Sequence, residues 1–286
     1  ECATMDVRSA CCGAFQATAA AVQYLKAGTH KTVCVVGCDV GSVFAELDLG
    51  GGDIPKAAKV NALMMGDGCG CMILRGFDVN GAGEIPYGIE VLYTKLNSIG
   101  VGQKKGFWMP GGGCVNPPNQ EMIDKKQHYF AHNFRDVIKH GPDLYFRAFK
   151  DTLKDNDLQT NDFDLLVPHQ ANGKLVEIGV AMGAKKERIY YNFDRVGNTA
   201  NASCLICLDE IVEKNEVPED GLVLLVGAES TKWLYGAILL KWHSLSDKPA
   251  AATSTARSKA TYWERFYSDM TMWAVEKLLS VKNMIV

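Results

Sequence analysis

Cys11, His169 and Asn198 are the residues whose types and settings could do chemistry. Cys11 stands in Ser9-Ala10-Cys11-Cys12-Gly13-Ala14, where a strand-like stretch at 5–8 turns sharply into an Ala-rich helical run at 14–27. A thiol at a helix N-terminus feels the positive end of the helix dipole, which lowers its pKa and favours thiolate. Small neighbours let an electrophile approach the sulfur, and backbone N–H groups there can receive an oxyanion. A thiolate so placed is a candidate nucleophile. Taken alone, a buried core cysteine would have the same surroundings.

His169 follows an apolar strand at 164–168 directly, in Val167-Pro168-His169-Gln170-Ala171-Asn172. Residues at the carboxyl ends of strands in α/β folds point into the ligand crevice, although a satisfied structural imidazole is the alternative. The other five histidines (His30, His128, His132, His140, His243) lie in polar or loop contexts and read as surface or local groups. Asn198, in Arg195-Val196-Gly197-Asn198-Thr199, precedes an apolar helix at a Gly-Asn turn, where an N-cap role is the alternative. An imidazole and a carboxamide can each donate a hydrogen bond without carrying charge.

The elements that must position these groups alternate between strand and helix in the α/β manner. After the helix at 14–27, a buried strand is expected at 31–39, a Gly- and Asp-rich loop at 48–53 and a strand at 68–75. A second block opens with a strand at 87–93. A loop-like stretch at 100–120 precedes a helix at 130–155, broken near Gly141-Pro142. Helices at 171–182 and 199–214 and a strand pair at 221–226 and 236–242 close it. Residues 244–260 have linker composition, and 261–281 read as an amphipathic helix with Trp263, Phe266, Met270 and Trp273 on one stripe. This helix either docks on its own core or binds a partner.

Composition narrows the classes. Apolar residues at 47% suffice for a large core, and a net charge of −3 with mixed signs gives no field for nucleic acid or a membrane surface. No apolar run reaches the ~20 residues that a membrane span needs. The ten cysteines are not spaced as a disulfide framework, since Cys34, Cys69, Cys71, Cys204 and Cys207 sit in apolar stretches. A reducing, cytoplasmic compartment fits that pattern. Cys204 and Cys207 form a lone C-x-x-C on a helix, better read as packing than as a metal site. Gly66-Asp67-Gly68 lacks the following Lys-Ser/Thr of a phosphate loop and reads as a tight turn.

Asp6-Val7-(x)3-Cys11-(x)-Gly13, Gly66-Asp67-Gly68, Val167-Pro168-His169-Gln170-Ala171-Asn172 and Gly197-Asn198-Thr199 occur in the order found in thiolase-superfamily condensing enzymes. Over residues 5–242 the chain resembles the 3-oxoacyl-[acyl-carrier-protein] synthase III family. The resemblance implies an α/β fold of five layers, αβαβα, in two similar halves. Residues 1–86 would be the remainder of a first half carrying the nucleophile, residues 87–243 a second half carrying His and Asn, and 244–286 the linker and terminal helix. It further implies acyl transfer from a coenzyme A or carrier-protein thioester to Cys11. A decarboxylative Claisen condensation with a malonyl thioester would follow, with His169 and Asn198 holding the extender carbonyl. No metal or redox cofactor is implied. The partners implied are acyl-CoA, acyl carrier protein and a second copy in a dimer.

Two departures from the family pattern bear on this. The family carries a long segment before its nucleophile, so a separate chain completing the first half is expected. The glycine-rich loop before the last strand, which serves as oxyanion hole and pocket wall, reads Ala228-Glu229-Ser230 here. That substitution admits an acyltransferase that forms an ester or amide as an alternative. A non-catalytic partner subunit of a condensing complex is the alternative from another class. Lys174 stands where the family often carries an Arg near the pantetheine entrance, and is a candidate for coenzyme A contact or a solvated surface lysine.

Overall fold

The computed structural model describes residues 2–46, 56–77 and 88–243. The chain enters without regular structure and tightens into a 3-10 turn, Ala10–Cys12, continuous with helix α1, Gly13–Lys26. Strand β1 (Thr32–Val40), helix α2 (Lys56–Met64) and strand β2 (Asp67–Arg75) follow. β1 and β2 pair antiparallel, with Thr32 opposite Arg75 and Val40 opposite Asp67. The next elements are β3 (Ile89–Ser98), β4 (Phe107–Trp108), α3 (Gln120–Asp124), β5 (Ala131–His132) and α4 (Phe134–Asp155). After them come β6 (Leu165–Pro168), α5 (Leu175–Ala181), α6 (Phe193–Val196), α7 (Ser203–Lys214), β7 (Leu222–Glu229) and β8 (Leu234–Trp242).

The central sheet runs β3-β8-β7-β6, with β6 parallel to β7 and the other pairs antiparallel. β6 and β7 read as near-continuous apolar runs because helices cover both of their faces. On one face α4 presents Leu144, Tyr145 and Phe149 to Leu224, Val226 and Leu239. On the other, Phe15 of α1 and Cys204, Cys207 and Leu208 of α7 pack on Val167, Leu225 and Ile238. The far side of α1 carries Ala21 against Val35 and Leu74 of the β1–β2 pair. Helix, sheet, helix and sheet are thus stacked in the order that the five-layer arrangement requires. Each large apolar side chain fully removed from water here contributes about 1.5–3 kcal/mol, so Leu224, Leu225, Ile211 and Leu239 anchor the stack.

The layers approach closely where side chains are missing. A Cβ at Gly68 would lie 2.8 Å from Ile206 Cδ1, one at Gly70 2.7 Å from Leu205 Cβ, and one at Gly37 2.6 Å from Asn201 Oδ1. These glycines face the helix layer, whereas their strand neighbours face outward. The outward face carries Cys34, Val36, Cys38, Cys69, Cys71 and Ile73, all exposed, with Val36 at 58% and Ile73 at 67%.

Several expectations are corrected. Residues 5–8 form no strand and find no strand partner among the described residues; Met5 is 56% exposed. Cys34, Cys69 and Cys71 lie on an exposed strand face, because period-two alternation outweighs the apolar run in which they sit. The helix expected to break near Gly141-Pro142 is continuous as α4. Pro142 forgoes one backbone bond there, which the exposed face bearing Ile138 tolerates, and residues 131–132 of the expected helical stretch form β5 instead. The expected loop at 48–53, linker at 244–260 and helix at 261–281 lie outside the described residues.

Candidate active site

The turn that carries Cys11 is strained. Ala10 has φ of 42°, a left-handed conformation that a residue with a Cβ seldom adopts, and it swings the chain from the extended entry into α1. Ser9 donates its hydroxyl to Gln16 Oε1 one turn into the helix, and the Cys12 thiol points towards Leu234 O at 3.9 Å. Cys12 is therefore committed to the sheet, and Cys11 is the less buried residue of the two. The turn packs on the end of β7 and on a second 3-10 turn, Ala200–Ala202, that follows Asn198.

Cys11 is half-buried, yet its sulfur is surrounded by protein. Burial pushes its pKa well up, and the carboxylates of Glu229 and then Asp39 push in the same direction. The helix-terminus argument predicts the opposite sign, and here it loses: desolvation and two negative charges outweigh a dipole worth about 0.3–1 kcal/mol. The resting Cys11 side chain is a neutral thiol.

His169 sits at the end of β6, held by its own N–H to Val226 O at 2.8 Å. Its carbonyl accepts from Tyr145 Oη at 2.8 Å and from Ala171 N at 2.8 Å. The residue is 1% exposed, and both ring nitrogens are buried with no hydrogen-bond partner. Burial lowers its pKa from 6.5 to about 4, so the ring is neutral at physiological pH with one donor and one acceptor uncommitted. The fold itself leaves this imidazole without a hydrogen-bond partner.

Asn198 is clamped by backbone. Its N–H donates to Met64 O at 2.8 Å, and its carbonyl accepts from Gly66 N at 2.9 Å, so that it pairs with Met65 as a short parallel bridge. A Cβ at Gly66 would lie 2.1 Å from Val196 O, which is why the turn before β2 needs glycine. The Asn198 side chain accepts from Ala200 N through Oδ1 at 2.9 Å, which turns the amide Nδ2 away as a free donor. Ala200, with φ of 45°, is the second strained non-glycine turn at the site.

Sequence reasoning missed the residues that tie these loops together. Gln170 is fully buried; its Nε2 donates to Pro168 O at 2.7 Å and Tyr190 O at 3.3 Å, while its Oε1 accepts from Asn192 N and Phe193 N. Its own N–H donates to Ser203 Oγ at 2.8 Å. The histidine loop is thereby stapled to both ends of the Asn198 segment. The available signal was a polar residue directly after the histidine at the end of a buried strand. Tyr145 acts similarly from α4; burial pushes its phenol up, and Cys11 lies near enough to push in the same direction.

The expected loop residues Ala228 and Glu229 end β7, and Ser230 starts the turn to β8. Glu229 is 2% exposed, and its carboxylate accepts from Thr231 N and, at 3.0 Å, from Lys232 N. Ser230 O accepts from Gly106 N at 2.9 Å. Lys174 is not brought to this cluster. It begins α5 on the surface, 3.6 Å from Glu177 with its side chain 79% exposed. The groove along α5 lined by Gly173, Val176, Val180 and Tyr191 contains none of Cys11, His169 and Asn198. Cys204 and Cys207 are buried on α7 and turn to different acceptors, Val167 O and Asn192 Oδ1. Among the described residues no group of three or more His, Cys, Asp or Glu is placed to hold a metal ion, and no helix is long and apolar enough to cross a membrane.

A thiol at a strained turn between two stacked sheets, with neutral imidazole and amide donors on neighbouring loops, is the arrangement of a thiolase-fold condensing enzyme. The family model for 3-oxoacyl-[acyl-carrier-protein (ACP)] synthase III matches residues 5–89, and that for its C-terminal part matches residues 153–242. The chain is 30% identical over 238 residues to the beta-ketoacyl-[acyl-carrier-protein] synthase III of Chlorobium luteolum, covering 83% of this chain and 67% of that one. Among solved structures, the synthase III of Pseudomonas aeruginosa superposes with a TM-score of 0.69 at 23% identity over 84% of this chain and 68% of that one. The synthase III of Thermus thermophilus does so with 0.66 at 27% identity, covering 83% and 67%. The chain belongs to the 3-oxoacyl-[acyl-carrier-protein] synthase III family and is an acyltransferase-type condensing enzyme.

Proposed function

We propose that Cys11 takes an acyl group from a coenzyme A or carrier-protein thioester and passes it to the carbanion of a malonyl thioester. The observation that carries this is the His169 ring, buried and neutral with both nitrogens unpaired, on a loop that Gln170 ties to the segment carrying Asn198. In the first half-reaction the Cys11 sulfur bonds to the acyl carbon and the leaving thiolate departs. The thiol proton passes through His169 to that thiolate, because the resting thiol is not ionised. In the second, the carboxylate–carbon bond of the malonyl group breaks and carbon dioxide leaves. The electron pair collects on the thioester oxygen, facing the His169 N–H and the Asn198 Nδ2–H. The carbanion attacks the acyl carbon, and the Cys11 thiolate is expelled and reprotonated. Backbone N–H groups of the Cys11 turn and of the Ala228-Glu229-Ser230 segment receive the tetrahedral oxyanion. No cofactor takes part in this scheme.

A second reading is favoured by one observation, the buried Glu229 carboxylate that acts on Cys11. A base there suits transfer of the acyl group to an alcohol or amine, which would release no carbon dioxide. The proposed partners are acyl-CoA, acyl carrier protein, a separate chain and a dimer of such units. The open outer face of β1–β2 supports the protein partners, and the free cysteines support a reducing, cytoplasmic setting. Lys174 remains a proposal for phosphate contact at the pocket entrance, supported by its exposure alone.

Intact mass spectrometry of the protein incubated with acyl-coenzyme A thioesters tests the first step. An acyl adduct that disappears in Cys11→Ala is expected. Carbon dioxide release from a malonyl thioester then separates condensation from ester or amide formation. Adducts that persist in Cys11→Ala would refute the assignment.

A further inference from the structure

Asn61 lies outside the three catalytic loops, on α2, and is 1% exposed. Its amide Nδ2 donates to Phe130 O at 2.9 Å, and its Oδ1 is 3.1 Å from His132 Nδ1. Because the amide nitrogen is spent on Phe130, the oxygen must accept, and His132 therefore carries its proton on Nδ1. His132 is gripped further by Phe107, edge-on at 5.3 Å, and by Phe134 at 3.8 Å between ring centres. One turn beyond Asn61, its carbonyl accepts from Met65 N at 3.0 Å, and Met64 and Gly66 are the residues that clamp Asn198 from both sides.

The other end of this link also reaches the site. β5, which holds His132, pairs with β4, and Asn133 N donates to Gly106 O at 2.7 Å. Gly106 N in turn donates to Ser230 O at 2.9 Å, next to Glu229. The Asn61–His132 pair therefore spans two loops that reach the reacting centre from different parts of the sequence. A buried amide that is fully spent on one neighbouring strand, one turn before a catalytic clamp, fixes where that clamp sits.

Resting on the functional reading above, we propose that Asn61, anchored by His132, is a positioning residue for Asn198 and so for the decarboxylation half-reaction. Asn198 holds the extender enolate and plays no part in loading Cys11. The two half-reactions must respond differently when the link is cut, which a general loss of folded protein cannot mimic.

The test uses Asn61→Ala and His132→Ala with the wild type as control. Loading is followed as the rate of the Cys11 adduct with acetyl-coenzyme A, and decarboxylation as carbon dioxide release from malonyl-acyl carrier protein by preloaded protein. Misplacing a catalytic group by about 1 Å costs up to ~100-fold, so Asn61→Ala is expected to slow carbon dioxide release about 10–100-fold while loading stays within about twofold. His132→Ala leaves the Phe130 bond in place and should show the same selectivity with a smaller loss. Should Asn61→Ala fail to fold, His132→Ala decides. Equal losses in both half-reactions, or none in either, would overturn the inference. A wild type that neither loads nor decarboxylates would overturn the functional reading itself, and this inference with it.

Discussion

Replacing His169 by Gln should flatten the acid limb of the protein's stability. Burial lowers the imidazole from 6.5 to about 4 in the folded state. The unfolded chain takes up a proton at about pH 6.5, whereas the folded chain resists it. A depressed folded pKa contributes stability that is complete above the unfolded value and lost as pH falls towards the folded one. The full difference is bounded at about 3 kcal/mol, at about 1.4 kcal/mol per tenfold, and about 2 kcal/mol of it should be gone by about pH 5. Glutamine does not titrate, so urea unfolding of wild type and His169→Gln from about pH 8 to about pH 5 isolates this group. His132 is also lowered to about 4, but it contributes equally to both proteins and cancels. The wild type should lose about 2 kcal/mol more than the variant across that window. Parallel curves would mean that His169 titrates normally and is reached by water, and the argument from a dry, neutral imidazole would fail. If the ring is dry, condensation by the wild type should likewise show no acid limb near pH 6.5.

Glu229→Gln removes the larger of the two charges acting on the Cys11 thiol, so alkylation of Cys11 by iodoacetamide should reach its plateau at lower pH; an unmoved profile would detach Glu229 from the sulfur. Gly66→Ala sets a methyl group against Val196 O and should cost about 1–3 kcal/mol, read as a drop of roughly 2–12 °C in the melting temperature, together with lost carbon dioxide release. Tyr145→Phe deletes one of two hydrogen bonds to His169 O, so a stability loss of about 1 kcal/mol is expected in urea; a loss near that of a core truncation would show a larger role for the phenol.

Legibility in the sequence followed from the range of the physics involved. Cys11, His169 and Asn198 stood out because each sits where one element ends and another begins, and local patterning marks such points. The α/β alternation was legible for the same reason, as in β6 and β7, whose apolar runs are continuous. The direction of the Cys11 ionisation was not, since it depends first on burial and then on Glu229 and Asp39, all of which arise only after folding. Nor was the loss of the expected strand at 5–8, because a strand needs a partner that periodicity does not supply. The Gln170 staple and the Asn61–His132 link were invisible because their bonds go to backbone atoms distant in sequence. α4 runs through Pro142 because the packing of Leu144, Tyr145 and Phe149 outweighs one missing backbone bond.

The glycines on the inner side of β2 give that strand a second use, as a ruler. Gly68 and Gly70, with Gly66 in the turn just before them, recur at every second residue, and each meets backbone or the base of a side chain at less than 3 Å when a single carbon is added. β2 on one layer and the Asn198–α7 segment on the next are thus separated by a gap measured in bare backbone. Tolerance to substitution along this strand should alternate with period two, near zero at 66, 68 and 70 and generous at the outward Cys69 and Cys71. Lineages that diversify such a site would then have to vary its walls, such as the Glu229 turn, while leaving its depth untouched.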